Sequence, residues 1–192
     1  MKSAIRPGKD VEVQEMIYFF KPLPPCDEDM SEYQPFIRNE WFRKHFMKFV
    51  YALQAVLALI SVMLGVWDFA NLFVKIVIFS LVYMLHELLH VLVVYKIGDI
   101  SLTHSGIFLW LNSSAVMSKR RFWLFMTLPL IVLTVIPMIL VPVADGMSVD
   151  VLRYILWINA IIAGSDMINS VLIAIKPQNA RFYRGYYTTK DS

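Results

Sequence analysis

Two histidines four residues apart, with a glutamate directly after the first, make up His86-Glu87-Leu88-Leu89-His90. The pattern is H-E-x-x-H. Residues four apart on a helix share a face, so His86 and His90 can grip one metal ion. Glu87 can reach a water held beside that ion. Two imidazoles, a carboxylate base and a coordination position left for water are what hydrolytic zinc chemistry needs. The motif lies in an apolar run, residues 76–95, in which Glu87 is the only formal charge. Glu87 is also the only glutamate after Glu40. An ionisable group inside such a run is costly, which makes it a functional candidate.

Catalytic zinc normally has three protein ligands, and the motif supplies two. His45, His104, the aspartates and the amide side chains are the remaining candidates. Spacing favours Asp166. His86 lies ten residues before Lys96, and Asp166 ten before Lys176. At ~1.5 Å per helical residue, both sit ~15 Å from a helix exit, so they can converge on one ion. Asn159, Asp166 and Asn169 form a polar stripe on one helical face. Ser165 borders that stripe, and Gly164 permits close helix approach. Asn169, Tyr83 (one turn before Glu87) and His104 are further candidates for a supporting role. No substrate-binding residue is predicted.

The elements that must position these residues are apolar helices. Of 192 residues, 58% are hydrophobic and 17% charged, less charge than a soluble domain of this size carries. The apolar residues fall in long runs, which predicts an all-α integral membrane protein. Four transmembrane helices are expected at about 49–67, 72–95, 122–144 and 154–175. Residues 1–45 form an N-terminal arm, 46–176 the four-span domain and 177–192 a tail. Lys and Arg cluster in the arm, between spans two and three, and in the tail; residues 68–71 and 145–150 have none. Both termini are therefore expected in the cytoplasm of a multi-pass cell-membrane protein. The arm opens polar and mixed in charge, so no secretory signal peptide is expected there.

Residues 97–118 are too polar to span. Ile100, Leu102 and His104 alternate with Ser101, Thr103 and Ser105, which predicts a short β-hairpin turning near Gly106. Ser118 is the expected N-cap of the third span. The arm is read as peripheral and solvated, holding eight Lys/Arg and eight Asp/Glu in residues 1–48. The single cysteine, Cys26, excludes an intramolecular disulfide and a cysteine metal cluster. A net charge of +3 gives no reason to expect nucleic acid. The expected partners are the lipid bilayer and a membrane protein or peptide substrate.

Residues 46–185 resemble the bacterial family of putative zincin membrane peptidases, small four-span proteins. The resemblance is carried by His86-Glu87-Leu88-Leu89-His90, by Ser118-Lys119-Arg120-Arg121 up to Pro129, and by Ala163-Gly164-Ser165-Asp166 with Asn169. The arrangement is also similar to the site-2 protease group of intramembrane metalloproteases. That similarity implies Zn2+ held by His86, His90 and Asp166, with Glu87 as catalytic base. It implies a zinc metallopeptidase cleaving peptide bonds within or near the cytoplasmic half of the membrane. A non-catalytic zinc-binding scaffold or metal carrier is the alternative. Transport would require polar residues on several spans, and the first span offers only Gln54 and Ser61.

Overall fold

Three of the apolar helices begin where a polar side chain closes the first turn. The computed structural model describes residues 17–23, 25, 29–105 and 108–190. β1 (Ile17–Phe19) and β2 (Gln34–Pro35) precede α1 (Glu40–Met63). Asn39 starts α1 by accepting from the Phe42 N–H at 2.9 Å. Asn71 does the same for α2 (Leu72–Val94), accepting from Val74 at 3.0 Å. Such caps satisfy backbone donors that the helix leaves open.

β3 (Ile100–Ser105) and β4 (Phe108–Ser113) form the expected hairpin, with Ile100 opposite Ser113 and Ser105 opposite Phe108. β5 (Met117–Ser118) leads into α3 (Lys119–Leu130), where Ser118 is the N-cap. The rod continues through a π-helical turn at Ile131–Val135, α4 (Ile136–Leu140) and a 3-10 turn at Val141–Val143. α5 (Gly146–Ile162), α6 (Gly164–Ala174), β6 (Arg181–Tyr183) and β7 (Tyr186–Thr188) complete the chain. The protein is thus mostly helical with a few strands. Among the described residues, three helical stretches are long and apolar enough to cross a membrane: Glu40–Met63, Leu72–Val94 and Lys119–Val143.

Two of the expected spans differ from the sequence reading. The first helix runs Glu40–Met63 rather than 49–67. The chain turns at Gly65 (φ +65°), and Trp67 folds back so that its indole N–H donates to the Ser61 hydroxyl at 2.9 Å. The fourth apolar stretch is not one straight rod over 154–175: α5 and α6 meet at a 63° bend. Ala163 leaves the helical path there (ψ 15°). The bend frees the Ile161 carbonyl, which accepts from Gln54 Nε2 at 3.0 Å. A Cβ on Gly164 would lie 2.8 Å from Gln54 Cγ, so only glycine admits α1 so close to the bend.

The described parts of the arm and tail also pair into sheets, which the sequence reading did not expect. β2, β7, β6 and β5 form one antiparallel sheet in that order. Phe182 and Tyr187 pair across β6 and β7 and are buried with Phe36 and Ile173. β1 pairs in parallel with β3, making a second sheet of order β1-β3-β4. A separate core near the other end of the helices gathers Val66, Val82, Leu133 and Ile158 around fully buried Tyr154. Tyr154 donates its hydroxyl to the Lys75 carbonyl at 3.2 Å.

Candidate metal centre

α2 presents His86 and His90 one turn apart on its buried face, 3% and 5% exposed. Asp166 enters from the first turn of α6 and is 7% exposed. A carboxylate suits that place because the helix N-terminus carries partial positive charge. The bend at Ala163 is what turns this first helical turn toward α2.

The three side chains meet atom to atom. His86 Nε2 lies 3.1 Å from Asp166 Oδ2, His90 Nε2 lies 3.3 Å from the same oxygen, and the two Nε2 atoms are 3.2 Å apart. The far nitrogens explain why these near ones converge. His90 Nδ1 is 2.7 Å from the Phe125 carbonyl oxygen, which can only accept, so Nδ1 donates. His86 Nδ1 is 2.9 Å from Asn159 Oδ1. Asn159 is fixed in that orientation because its Nδ2 donates to the Pro129 carbonyl at 3.1 Å and to the Thr134 hydroxyl at 2.9 Å. With the proton on Nδ1, each neutral ring turns a lone pair on Nε2 toward Asp166. Oxygens that hold the outer imidazole N–H are a recurrent feature of metal sites.

Pro129 makes this possible. A residue at 129 with an N–H would bond the carbonyl four residues back, which is that of Phe125. Proline has no N–H, so the carbonyl is left for His90. Burial of an unpaired carbonyl would be unfavourable, so the proline and His90 are matched.

The donor set fits a metal ion. Two imidazoles and a carboxylate suit zinc. Zinc with bonds of roughly 2.0–2.1 Å in tetrahedral geometry spaces its ligands about 3.3–3.4 Å apart. The observed triangle of 3.1, 3.2 and 3.3 Å has that size. Among the described residues, His86, His90 and Asp166 form a group able to hold a metal ion.

The other sequence candidates divide. Glu87 is half-buried and lines the same cavity as the three, a space of about 320 Å3. Tyr83 and Asn169 also line it. Tyr83 stacks on Phe79, with ring centroids 6.3 Å apart. Asn169 approaches Met126 Sδ at 4.0 Å. His45 bonds its own helix at the Trp41 carbonyl, 2.8 Å away. His104 lies on β3 opposite Leu109; its side chain is outside the described residues. The partners of the imidazoles were not predicted. Asn159 stood in the polar stripe, but nothing in the sequence joined it to His86, and a backbone carbonyl such as that of Phe125 has no sequence signature apart from the proline four residues later.

The family model described as "Putative zincin peptidase" matches residues 78–181. That description implies zinc and a metalloprotease. No curated protein and no solved structure matches the chain. The matched stretch covers more than half of the chain and contains His86, Glu87, His90 and Asp166, so the protein belongs to the putative zincin peptidase family.

Proposed function

We propose that the protein is a zinc-dependent peptidase that spans a lipid bilayer four times, counting the bent α5–α6 pair as the fourth crossing. Both termini lie on the cytoplasmic side, and peptide bonds are cut in or near the cytoplasmic half of the membrane. The observation that carries this reading is the triangle of His86, His90 and Asp166, with Glu87 lining the same cavity.

The outer faces of the helices support the bilayer. Met63, Phe73 and Val143 are 77%, 75% and 80% exposed, and exposed apolar residues run along α2 from Leu72 to Leu92. Contiguous apolar surface of this kind calls for lipid rather than water. The absence of Lys and Arg from residues 68–71 and 145–150 supports the orientation.

Zinc, when bound, makes a water more acidic and polarises a peptide carbonyl. His86, His90 and Asp166 would hold it, and the Asn159 and Phe125 oxygens keep both imidazoles in the required tautomer. Glu87 accepts the proton of the attacking water and delivers a proton to the leaving amine, so the atoms balance over one hydrolysis. A helical substrate shields its own peptide bonds, so the reacting segment must be extended. β4 is an outer strand of the β1-β3-β4 sheet, and its Leu111 lines the site cavity. The outer edge of β4 holds that segment by strand addition.

The test is made on protein purified in lipid nanodiscs. Glu87→Gln keeps stoichiometric zinc and loses peptide hydrolysis by roughly 10²-fold or more. Asp166→Ala loses the metal. Full hydrolysis by Glu87→Gln removes the base role. Zinc binding in the absence of any cleavage would leave a zinc-holding scaffold instead.

A further inference from the structure

A second cavity of about 640 Å3 lies beside the first, between the two sheets, the N-terminal part of α3 and Asn169 of α6. The two cavities share Leu111, Phe125, Met126 and Asn169 as wall residues. An extended peptide held on β4 with its reacting bond at the metal centre therefore continues into this second space.

One residue in its wall does not suit the local fold. β6 and β7 are joined by Arg184 and Gly185, with φ +45° and +81°. A two-residue hairpin turn with both φ positive favours asparagine, aspartate or glycine. Arginine has no such advantage and is strained in the left-handed region. Its Nε is buried with no hydrogen-bond partner. Its guanidinium lies 5.3 Å from the ring centroid of Tyr183, a contact that offers Nε no hydrogen-bond acceptor. Among the described residues lining the cavity Arg184 is the only charged one. Local structure thus leaves this donor unsatisfied, whereas a bound anion would supply the missing acceptor.

We propose that Arg184 receives a carboxylate of the peptide substrate in this second cavity, so the enzyme selects peptides with an acidic side chain or a free C-terminus on one side of the cleaved bond. The guanidinium fork is shaped for a carboxylate. The occupant's being a peptide rests on the peptidase reading above.

The experiment reads binding, so it does not depend on hydrolysis. Full-length Glu87→Gln protein in nanodiscs of neutral phosphatidylcholine is titrated with fluorescent apolar decapeptides. A single Glu, Gln or Lys is walked along the peptide, each with a free or amidated C-terminus. The Glu peptide at one position, or the free-acid form, binds on the order of tenfold more tightly than its neutral counterpart. Whether the walk or the terminal pair shows the effect tells a side chain from a chain end. Adding Arg184→Asn, which suits the turn, abolishes the preference. Adding Arg184→Glu turns it toward the Lys peptide, which a merely structural role cannot do. Equal affinity of acidic and neutral peptides for the Arg184 protein overturns the proposal, as does a preference unchanged in Arg184→Asn. If Arg184→Asn instead lowers binding to phosphatidylglycerol vesicles and no peptide preference exists, the cation serves a lipid headgroup and the proposal falls. Carboxylate-dependent binding by a protein that never cleaves peptides sinks the peptidase reading and leaves this recognition standing.

Discussion

Asn159 illustrates how much one amide can fix. Its oxygen accepts from His86, and its nitrogen is held by Pro129 and Thr134. Replacing it with alanine leaves His86 Nδ1 without a buried acceptor, so the ring loses its tautomer and orientation. Asn159→Ala is expected to bind zinc roughly 10–100-fold more weakly. Competition against a chromophoric chelator measures this, and an unchanged affinity would show that the amide does not orient the ligand. His86→Ala removes a proposed ligand outright and loses the metal in the same assay. Tyr83 lines the cavity but stacks on Phe79, and substitution by phenylalanine is expected to leave metal affinity unaltered.

At the scale of elements, two breaks in regular helix shape the centre. The first is Pro129, buried within α3. A proline in a helix interior costs about 3 kcal/mol, and here the carbonyl it frees serves His90. Pro129→Ala restores an N–H that competes for that carbonyl. The protein is expected to melt at a higher temperature while its zinc affinity falls about tenfold. A fall in both, or a rise in both, would argue against this division. The second break is the bend between α5 and α6, with Gly164 against Gln54. Gly164→Ala forces Gln54 aside and is expected to destabilise by about 1–3 kcal/mol. Gln54→Ala in the same chain should recover part of the loss, which thermal melting of the double variant measures.

At the scale of the whole molecule, the arm, the segment after the hairpin and the tail are tied together below the helices. Lys119 Nζ donates to the Ala174 carbonyl at 2.8 Å and so closes the end of α6. Lys176 Nζ donates to the Phe36 carbonyl at 2.7 Å and sits 4.2 Å from the Tyr187 ring centroid. Partial burial, and then the charge of Arg38, hold the Lys176 ammonium below the usual lysine value of 10.5. Just below pH 10.5 the unfolded chain therefore keeps a proton that the folded chain has lost. Stability contributed by this group rises with pH through that window and is flat below it. Lys176→Met should lack the rise, as melting temperatures of the two proteins across the window would show.

The sequence by itself determined the donor chemistry of the candidate centre and the apolar helix that carries His86 and His90. H-E-x-x-H on a helical period puts both imidazoles on one face whatever the fold, and an aspartate in an apolar stretch must meet a cation or a donor. The same local logic made the 100–113 hairpin legible through its alternation, and Ser118 through its place before α3. Tertiary structure alone decided the bend at Ala163, the Asn159 and Phe125 partners, and the sheet that joins arm to tail. Each of these depends on groups distant in the chain: Gln54 with Ile161, His90 with Phe125, Gln34 with Tyr187. Periodicity records which face of a segment is apolar; it does not record which distant backbone oxygen or strand edge that face will meet.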